Sequence, residues 1–171
     1  MMSDDVQQVK DQMGLLQKIA TYIPGYRGYK EKEIRRETDR LVRSTAAGFL
    51  AKALDEYRRP LASLALPAPD RDSADSIMAR LDTIRERTAR AVAGYAGIFD
   101  AVKVVEGKLD KLVELDGSLV EASQGLFNSC KALDVASPTV EAFRAGSSAV
   151  LDGIQKVEGV LEDREALLKN P

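Results

Sequence analysis

Apolar residues recur along nearly the whole chain at alternating spacings of three and four. This spacing places them on one side of an α-helix, and the period-two alternation that marks a half-buried strand is almost absent. The clearest run keeps one register through Ile77, Leu81, Ile84, Thr88, Ala91, Tyr95, Ile98, Val102, Val105, Leu109, Leu112, Asp116, Leu119, Ser123, Leu126, Cys130 and Leu133. Shorter runs pass through Thr38, Leu41, Thr45 and Phe49, and through Val150, Ile154, Val157 and Leu161. The sequence therefore predicts an all-α fold.

Capping residues and prolines divide the chain into five predicted helices, at residues 4–23, 30–66, 73–102, 106–133 and 138–169. Ser3 precedes the first helix as an N-cap, and Pro24 with Gly25 ends it. Ser137 followed by Pro138 is a typical helix start. The last four helices are of similar length, which favours a single domain, an antiparallel up-down bundle. The first helix is then an extra element that caps the bundle or exchanges with a second chain.

Two internal boundaries are less clear. The unbroken register over residues 73–133 also permits one helix of about 61 residues, roughly 90 Å long. We favour a break near residues 102–107, because β-branched residues there are followed by a glycine that costs about 1 kcal/mol inside a helix. The segment PAPD at 67–70 predicts a loop, since each proline disfavours helical geometry in the preceding residue. Pro60 predicts a bend or an end in the second helix.

The composition excludes most catalytic and metal-binding arrangements. The chain has no histidine and one cysteine, which excludes histidine-ligated metals, Ser-His-Asp triads and Cys-His dyads. We therefore expect no cofactor, no metal and no catalytic residue. The net charge of −2 gives no field that would gather nucleic acid. A longest uncharged stretch of ten residues, an N-terminus MMSDDVQQVK unlike a signal peptide, and a single cysteine together predict a cytoplasmic protein.

Several polar residues fall on the predicted apolar stripes. We expect Asp116 to be exposed, facing water or a Lys or Arg partner, because an isolated buried carboxylate is costly. Cys130 is expected to pack as a small apolar side chain. Hydroxyl side chains on these stripes can bond to the preceding helical turn. They are Thr38, Thr45, Thr88, Ser123 and Ser147.

The most distinctive local feature is the segment YIPGYRGYKEKEIRRETDRLVR at residues 22–43. It holds three of the five tyrosines, two glycines and seven basic against four acidic residues. Such a turn could dock a protein partner, a second copy of the chain or an anionic lipid surface. The alternative is structural, with the tyrosines covering the end of the bundle, their hydroxyls in water, and the charged residues forming a solvated face. The candidate interaction residues are Tyr22, Tyr26, Arg27, Tyr29, Lys30, Arg35 and Arg36.

Two stretches resemble a family of small helical bacterial and archaeal proteins with no established activity. They are IPGYRGYKEKEIRRETDRLVR and, more loosely, GYAGIFDAVKVVEGKLDKL at residues 94–112, together 40 of the 171 residues. The resemblance implies a helical fold and transfers no functional residue. In such relatives an acidic residue after VKV would cap a new helix, whereas Val105 stands there in this chain.

The predicted function is that of a non-catalytic helical-bundle protein with a structural or protein-interaction role, whose partner is another protein or further copies of itself in a homo-oligomer. One alternative is a peripheral membrane module that docks weakly on anionic lipid through residues 22–36. Another is an enzyme that uses Glu, Asp, Lys, Tyr or Arg as its acid, base or clamp.

Overall fold

A computed structural model describes residues 2–29, 35–90, 106–133 and 139–169. Within these ranges the chain forms five helices and no strand, which confirms the all-α prediction. The helices are α1 (Met2–Tyr22), α2 (Arg35–Leu61), α3 (Ala68–Arg90), α4 (Glu106–Lys131) and α5 (Val140–Lys169).

The four long helices form a ring in which α2 and α5 occupy opposite corners. Each of these two helices packs against both α3 and α4, while α1 packs against the outside of α4. Along α3 and α5, Asp70 pairs with Arg144 and Arg87 pairs with Glu165, so these two neighbours run in the same direction. Neighbouring helices around the ring are therefore not all antiparallel.

Helices α4 and α5 run in opposite directions. Arg164 reaches Asp116, and a Cβ placed on Gly153 would lie 2.9 Å from the side chain of Leu126, ten residues further along α4. Because α3 follows the direction of α5, α3 and α4 also run in opposite directions. This excludes one straight helix through residues 73–133.

The predicted break near 102–107 lies mostly outside the described residues, and so does the cap position at Val105. The described chain resumes at Glu106, where α4 begins.

The segment PAPD opens a helix and is not a loop as predicted. The carbonyl of Pro67 accepts hydrogen bonds from the backbone N–H groups of Asp70 and Arg71, so α3 begins at Ala68. Pro69 lies in the first turn of α3, where a backbone N–H has no helical partner and its absence costs nothing. Upstream, α2 ends at Leu61, directly after Pro60 and five residues earlier than predicted.

The core follows the predicted stripes closely in α3, α4 and α5, and less closely in α2. On α2 the fully buried positions include Val42, Ala46 and Leu50, whereas the predicted Leu41 and Phe49 are half-buried. The prediction for this part of α2 was therefore wrong by one residue. Small side chains are turned inward there, which lets α2 approach two neighbours at once.

The hydroxyl side chains on the stripes find different partners. Thr88 donates to a carbonyl one turn back, as predicted. Thr38 donates to the backbone carbonyl of Gly28, and Ser147 shares a hydrogen bond with the Tyr57 hydroxyl. The Ser123 hydroxyl is buried and has no hydrogen-bond partner in the described part of the chain, so the prediction for this residue was wrong.

No helix in the described ranges combines the length and apolar character needed to cross a bilayer.

Candidate functional site

Residues 23–29, which we call the tyrosine turn, connect α1 to the bundle. Gly25 and Gly28 adopt positive φ values of 84° and 72°, which glycine tolerates far better than other residues. A Cβ at Gly28 would also lie 3.2 Å from the side chain of Leu16. The turn can therefore lie close against α1 because glycine occupies this position.

Two tyrosines of the turn point into the protein. Tyr26 is 6% exposed and donates its hydroxyl hydrogen to Asp116 over 2.9 Å. Tyr29 is fully buried, and its hydroxyl oxygen accepts a hydrogen bond from Arg164 at 3.2 Å. The expectation that their hydroxyls face water was wrong, because both find charged partners inside the bundle.

Arg164 joins two carboxylates from different helices. Its Nε donates to Asp116 on α4 at 2.9 Å, and one terminal nitrogen donates to Asp39 on α2 at 2.7 Å. The side chains of Arg164, Asp116 and Asp39 are 3%, 0% and 7% exposed. Asp116 thus has the arginine partner that the sequence analysis allowed, but it is buried where exposure was expected.

A second arginine extends these contacts to α3. Arg43 donates to Asp39 at 2.9 Å and to the backbone carbonyl of Ala89 at 2.8 Å. We call the group of Tyr26, Tyr29, Asp39, Arg43, Asp116 and Arg164 the ion network. It contains two carboxylates and two guanidinium groups, so its formal charges balance, and it links α2, α3, α4, α5 and the tyrosine turn.

Burial and the neighbouring charges shift the pKa values of Asp116, Tyr26, Tyr29 and Arg164 upward. Desolvation raises the pKa of Asp116, although Arg164 and the two tyrosine hydroxyls act in the opposite direction. Desolvation and the nearby Asp116 carboxylate raise the pKa of Tyr26 well above its ordinary value. For Arg164, desolvation opposes the charge, but the facing Asp116, Tyr29 and Asp39 outweigh it and raise the pKa. Both tyrosines therefore remain protonated donors or acceptors.

A small cavity lies beside the network, between α1, the tyrosine turn and α4. It measures about 60 Å³, and Leu15, Leu16, Gly28 and Val113 are among its lining residues. Cofactor and ligand pockets are usually about 300–1,000 Å³. This cavity is therefore too small to serve as one.

The seven predicted interaction residues are divided between surface and core. Exposed side chains belong to Arg27 and Arg36, and Tyr22 is half-buried. Arg35 donates to the backbone carbonyl of Tyr29 at 2.8 Å. Tyr26 and Tyr29 belong to the ion network, and Lys30 lies outside the described residues.

Three members of the ion network, Asp39, Arg43 and Arg164, were not predicted from the sequence. A signal for Arg164 was present, because it follows Leu161 by three residues and precedes Leu168 by four. It therefore lies on the apolar stripe of α5, as Asp116 does on α4. Opposite charges on two facing stripes are the pattern that predicts a buried ion pair.

Helix α1 has one side against the bundle and one side in solvent. A Cβ at Gly117 of α4 would lie 3.3 Å from Ile19, and Lys18 pairs with Glu121 at 2.5 Å. Met13 is 58% exposed, the most exposed large apolar residue among those whose side chains are described. The outer side of α1 therefore exposes one large apolar side chain in the part of the helix whose side chains are described.

A second surface feature lies between the first half of α4 and the last turns of α5. Asp116 and Arg164 of the ion network belong to the same parts of these two helices. This feature is an open groove of about 470 Å³, which we call the α4–α5 groove. It is lined by Lys108, Lys111, Glu114, Leu115, Ser118, Asp163, Ala166 and Leu167.

Within the described ranges, no three carboxylate or thiol side chains are grouped so as to hold a metal ion. Comparison of the chain with models of protein families, with curated proteins and with solved structures finds no match.

Proposed function

We propose that this chain is a non-catalytic helical protein-interaction module that associates with further copies of itself through the outer side of α1. The observation that carries the proposal is the exposure of Met13, which is 58% accessible on a helix that is packed against α4.

Met13 belongs to the apolar stripe of α1 and is largely exposed. Val6, Val9, Met13 and Leu16 follow one another at spacings of three, four and three. Leu16 packs against the core and Met13 does not. Exposed methionine is common at protein-binding surfaces, because its flexible side chain adapts to different partners. Burying such a side chain gains about 1.5–3 kcal/mol.

The length of α1 suits a helical contact with another chain. Its 21 residues span about 31 Å at 1.5 Å per residue. Met13 alone could not provide the roughly 800 Å² that each partner buries in a stable interface. The proposal therefore requires the outer side of the whole helix.

The ion network supports this proposal by fixing the position of α1. Tyr26 and Tyr29 fasten the tyrosine turn to the bundle, so the helix before it is presented at a fixed place. The same contacts weaken the membrane alternative. They remove Tyr26 and Tyr29 from the surface that would meet a layer of lipid headgroups.

An enzymatic role without histidine would need acidic or basic side chains that a substrate can reach. The two carboxylates of the ion network, Asp39 and Asp116, are almost fully buried and bonded within the network. The ion network therefore offers no such group, and among the candidate functions the exposure of Met13 favours a self-associating module.

Light scattering coupled to size-exclusion chromatography tests the proposal. We expect the wild-type chain to form oligomers in the micromolar range and Met13→Glu to be monomeric. Ala79→Glu is the matched control, since it adds the same charge at an exposed position of α3, away from α1. Circular dichroism should show all three proteins equally helical. A wild-type chain that stays monomeric throughout the micromolar range would refute the proposal.

A further inference from the structure

We infer that residues 23–26, the start of the tyrosine turn, form a hinge that determines whether α1 packs against its own α4 or against α4 of a second copy. The inference is independent of the proposed function, since it concerns the side of α1 that faces α4 and not the outer side that carries Met13. It follows from the conformation of the hinge, from the segments on either side of it and from the contacts of α1.

The hinge is a type II β-turn that reverses the direction of the chain. The backbone N–H of Tyr26 donates to the carbonyl of Ile23 over 3.1 Å, and Pro24 and Gly25 occupy the two central positions. Gly25 has a φ of 84°, close to the positive value that the second central position of this turn requires. A Cβ at Gly25 would meet nothing within 4 Å, so the turn needs glycine for its backbone conformation and not for space.

The segment that follows the hinge is fastened to the bundle. Tyr26 donates to Asp116 on α4, and Tyr29 accepts a hydrogen bond from Arg164 on α5. Gly25 and the proline before it are exposed. A change of conformation at these two residues therefore moves α1 as a unit and leaves the rest of the tyrosine turn in place.

The contacts of α1 with α4 can also be made between two copies. Among the described helices α1 packs mainly against α4, where the buried Ile19 lies against Gly117 and Lys18 pairs with Glu121. These contacts are lost when α1 swings away, and they are regained when it docks on α4 of a second copy whose own α1 has left the same surface. The receiving surface fits α1 because it is the one that α1 covers in the structure. Exchange of an identical element between two copies is a low-cost route to a dimer.

The backbone of residue 25 sets the balance between the closed and the exchanged form. The closed form requires a positive φ there, whereas in the exchanged form the turn opens and the residue can be extended. Valine is strongly disfavoured at positive φ and favoured in extended backbone, while asparagine tolerates positive φ. Gly25→Val should therefore shift the protein towards the exchanged dimer, and Gly25→Asn should keep it closed.

Analytical ultracentrifugation of these two variants tests the inference. Both are made in a Met13→Glu background, which removes association through the outer side of α1. Since each exchanged dimer contains two opened turns, we expect the dissociation constant of Gly25→Val to be about tenfold or more below that of Gly25→Asn. Circular dichroism should show the two proteins equally helical. If Gly25→Val does not fold, Gly25→Ala opposes the same φ with a smaller side chain and should shift the dissociation constant in the same direction.

A cross-link identifies the chain that α1 contacts. Isotope-labelled and unlabelled chains of one variant are unfolded together, refolded and treated with a carbodiimide, which joins the paired Lys18 and Glu121 as an amide. For Gly25→Val, mass spectrometry should find cross-linked peptides in which Lys18 comes from a labelled and Glu121 from an unlabelled chain. For Gly25→Asn, both halves of each cross-linked peptide should carry the same label.

Two results would overturn the inference. One is a folded Gly25→Val that associates no more strongly than Gly25→Asn, and the other is a dimer whose cross-links all lie within one chain. Both leave the proposed function standing, because that proposal is decided by the oligomeric state of the chain with an intact Met13.

Discussion

Replacing Arg164 by methionine should destabilise the protein more than any substitution at a surface ion pair. Arg164 donates to Asp116 and Asp39, and both carboxylates stay buried when it is removed. Asp39 retains Arg43, whereas Asp116 retains the hydroxyls of Tyr26 and Tyr29 and, among the described residues, no cation. Removing one partner of a buried pair costs about 3–5 kcal/mol, because the charge left behind has lost its solvation.

The matched control is Arg144→Met. Arg144 makes a two-pronged ion pair with Asp70 at 2.6 and 2.7 Å, but its side chain is 55% exposed. Exposed pairs contribute about 0.2–1 kcal/mol. In urea unfolding followed by circular dichroism, the loss in free energy of unfolding should therefore be several-fold larger for Arg164→Met than for Arg144→Met. Equal losses in the two variants would show that the buried network is not an interdependent unit.

The pH dependence gives a second measurement on the same variant. Burial already raises the pKa of Asp116, and removing Arg164 takes away a main opposing influence. A carboxyl group whose pKa is higher in the folded than in the unfolded state favours folding when protonated, and this benefit is lost as the pH rises through the folded pKa. The difference in free energy of unfolding between the wild type and Arg164→Met should thus become smaller as the pH falls from neutral to about pH 5. If this difference instead becomes larger on acidification, the buried Asp116 carboxylate is not the cause of the lost stability.

Three further predictions concern single positions. Tyr26→Phe removes the hydroxyl bonded to Asp116, and urea unfolding should show a loss of about 1.5–3 kcal/mol. Gly48→Ala should stabilise α2 by about 0.5–1 kcal/mol, because a methyl there meets nothing within 4 Å. Gly146→Ala should destabilise the protein, because its methyl would collide with the buried side chain of Leu133, just beyond the end of α4. Cys130, whose pKa burial raises to about 12, should react with a thiol reagent at the rate of global unfolding, and rapid labelling of the native protein would contradict its burial.

Much of the fold could be predicted from spacing alone, because burial along a helix depends on which residues share one side. The stripes of α3, α4 and α5 were correct for Ile77, Leu112 and Ile154, all of which are buried. On α2 the predicted buried positions were displaced by one residue from the observed ones. There the large Phe49 lies at the edge of the core, where it meets Phe127 with ring centres 6.4 Å apart, and alanines face inward. Spacing reports a preferred side and not how closely two helices approach.

The ion network could be predicted only in part. Asp116 stood out because it lies on an apolar stripe, but its partner is 48 residues away in the sequence and its other contacts are more distant still. Helix spacing carries no information about which stripes face each other. The residue content of the tyrosine turn distinguished it in the sequence. Its tyrosines were nevertheless expected at the surface, because the buried charged residues that bind them could not be identified from the sequence.

The order of helices around the ring divides the molecule into two hairpins, α2 with α3 and α4 with α5, which pack together through α2 with α4 and α3 with α5. During synthesis the first hairpin would form before the second, and its inner apolar surface would be exposed to solvent until then. Aggregation competes with folding at such a stage. Asp39 belongs to the first hairpin, and Asp116 and Arg164 belong to the second, so mutual recognition of the halves is partly electrostatic. Separately expressed fragments divided between α3 and α4 should consequently reassemble, which makes this bundle a candidate for a split reporter.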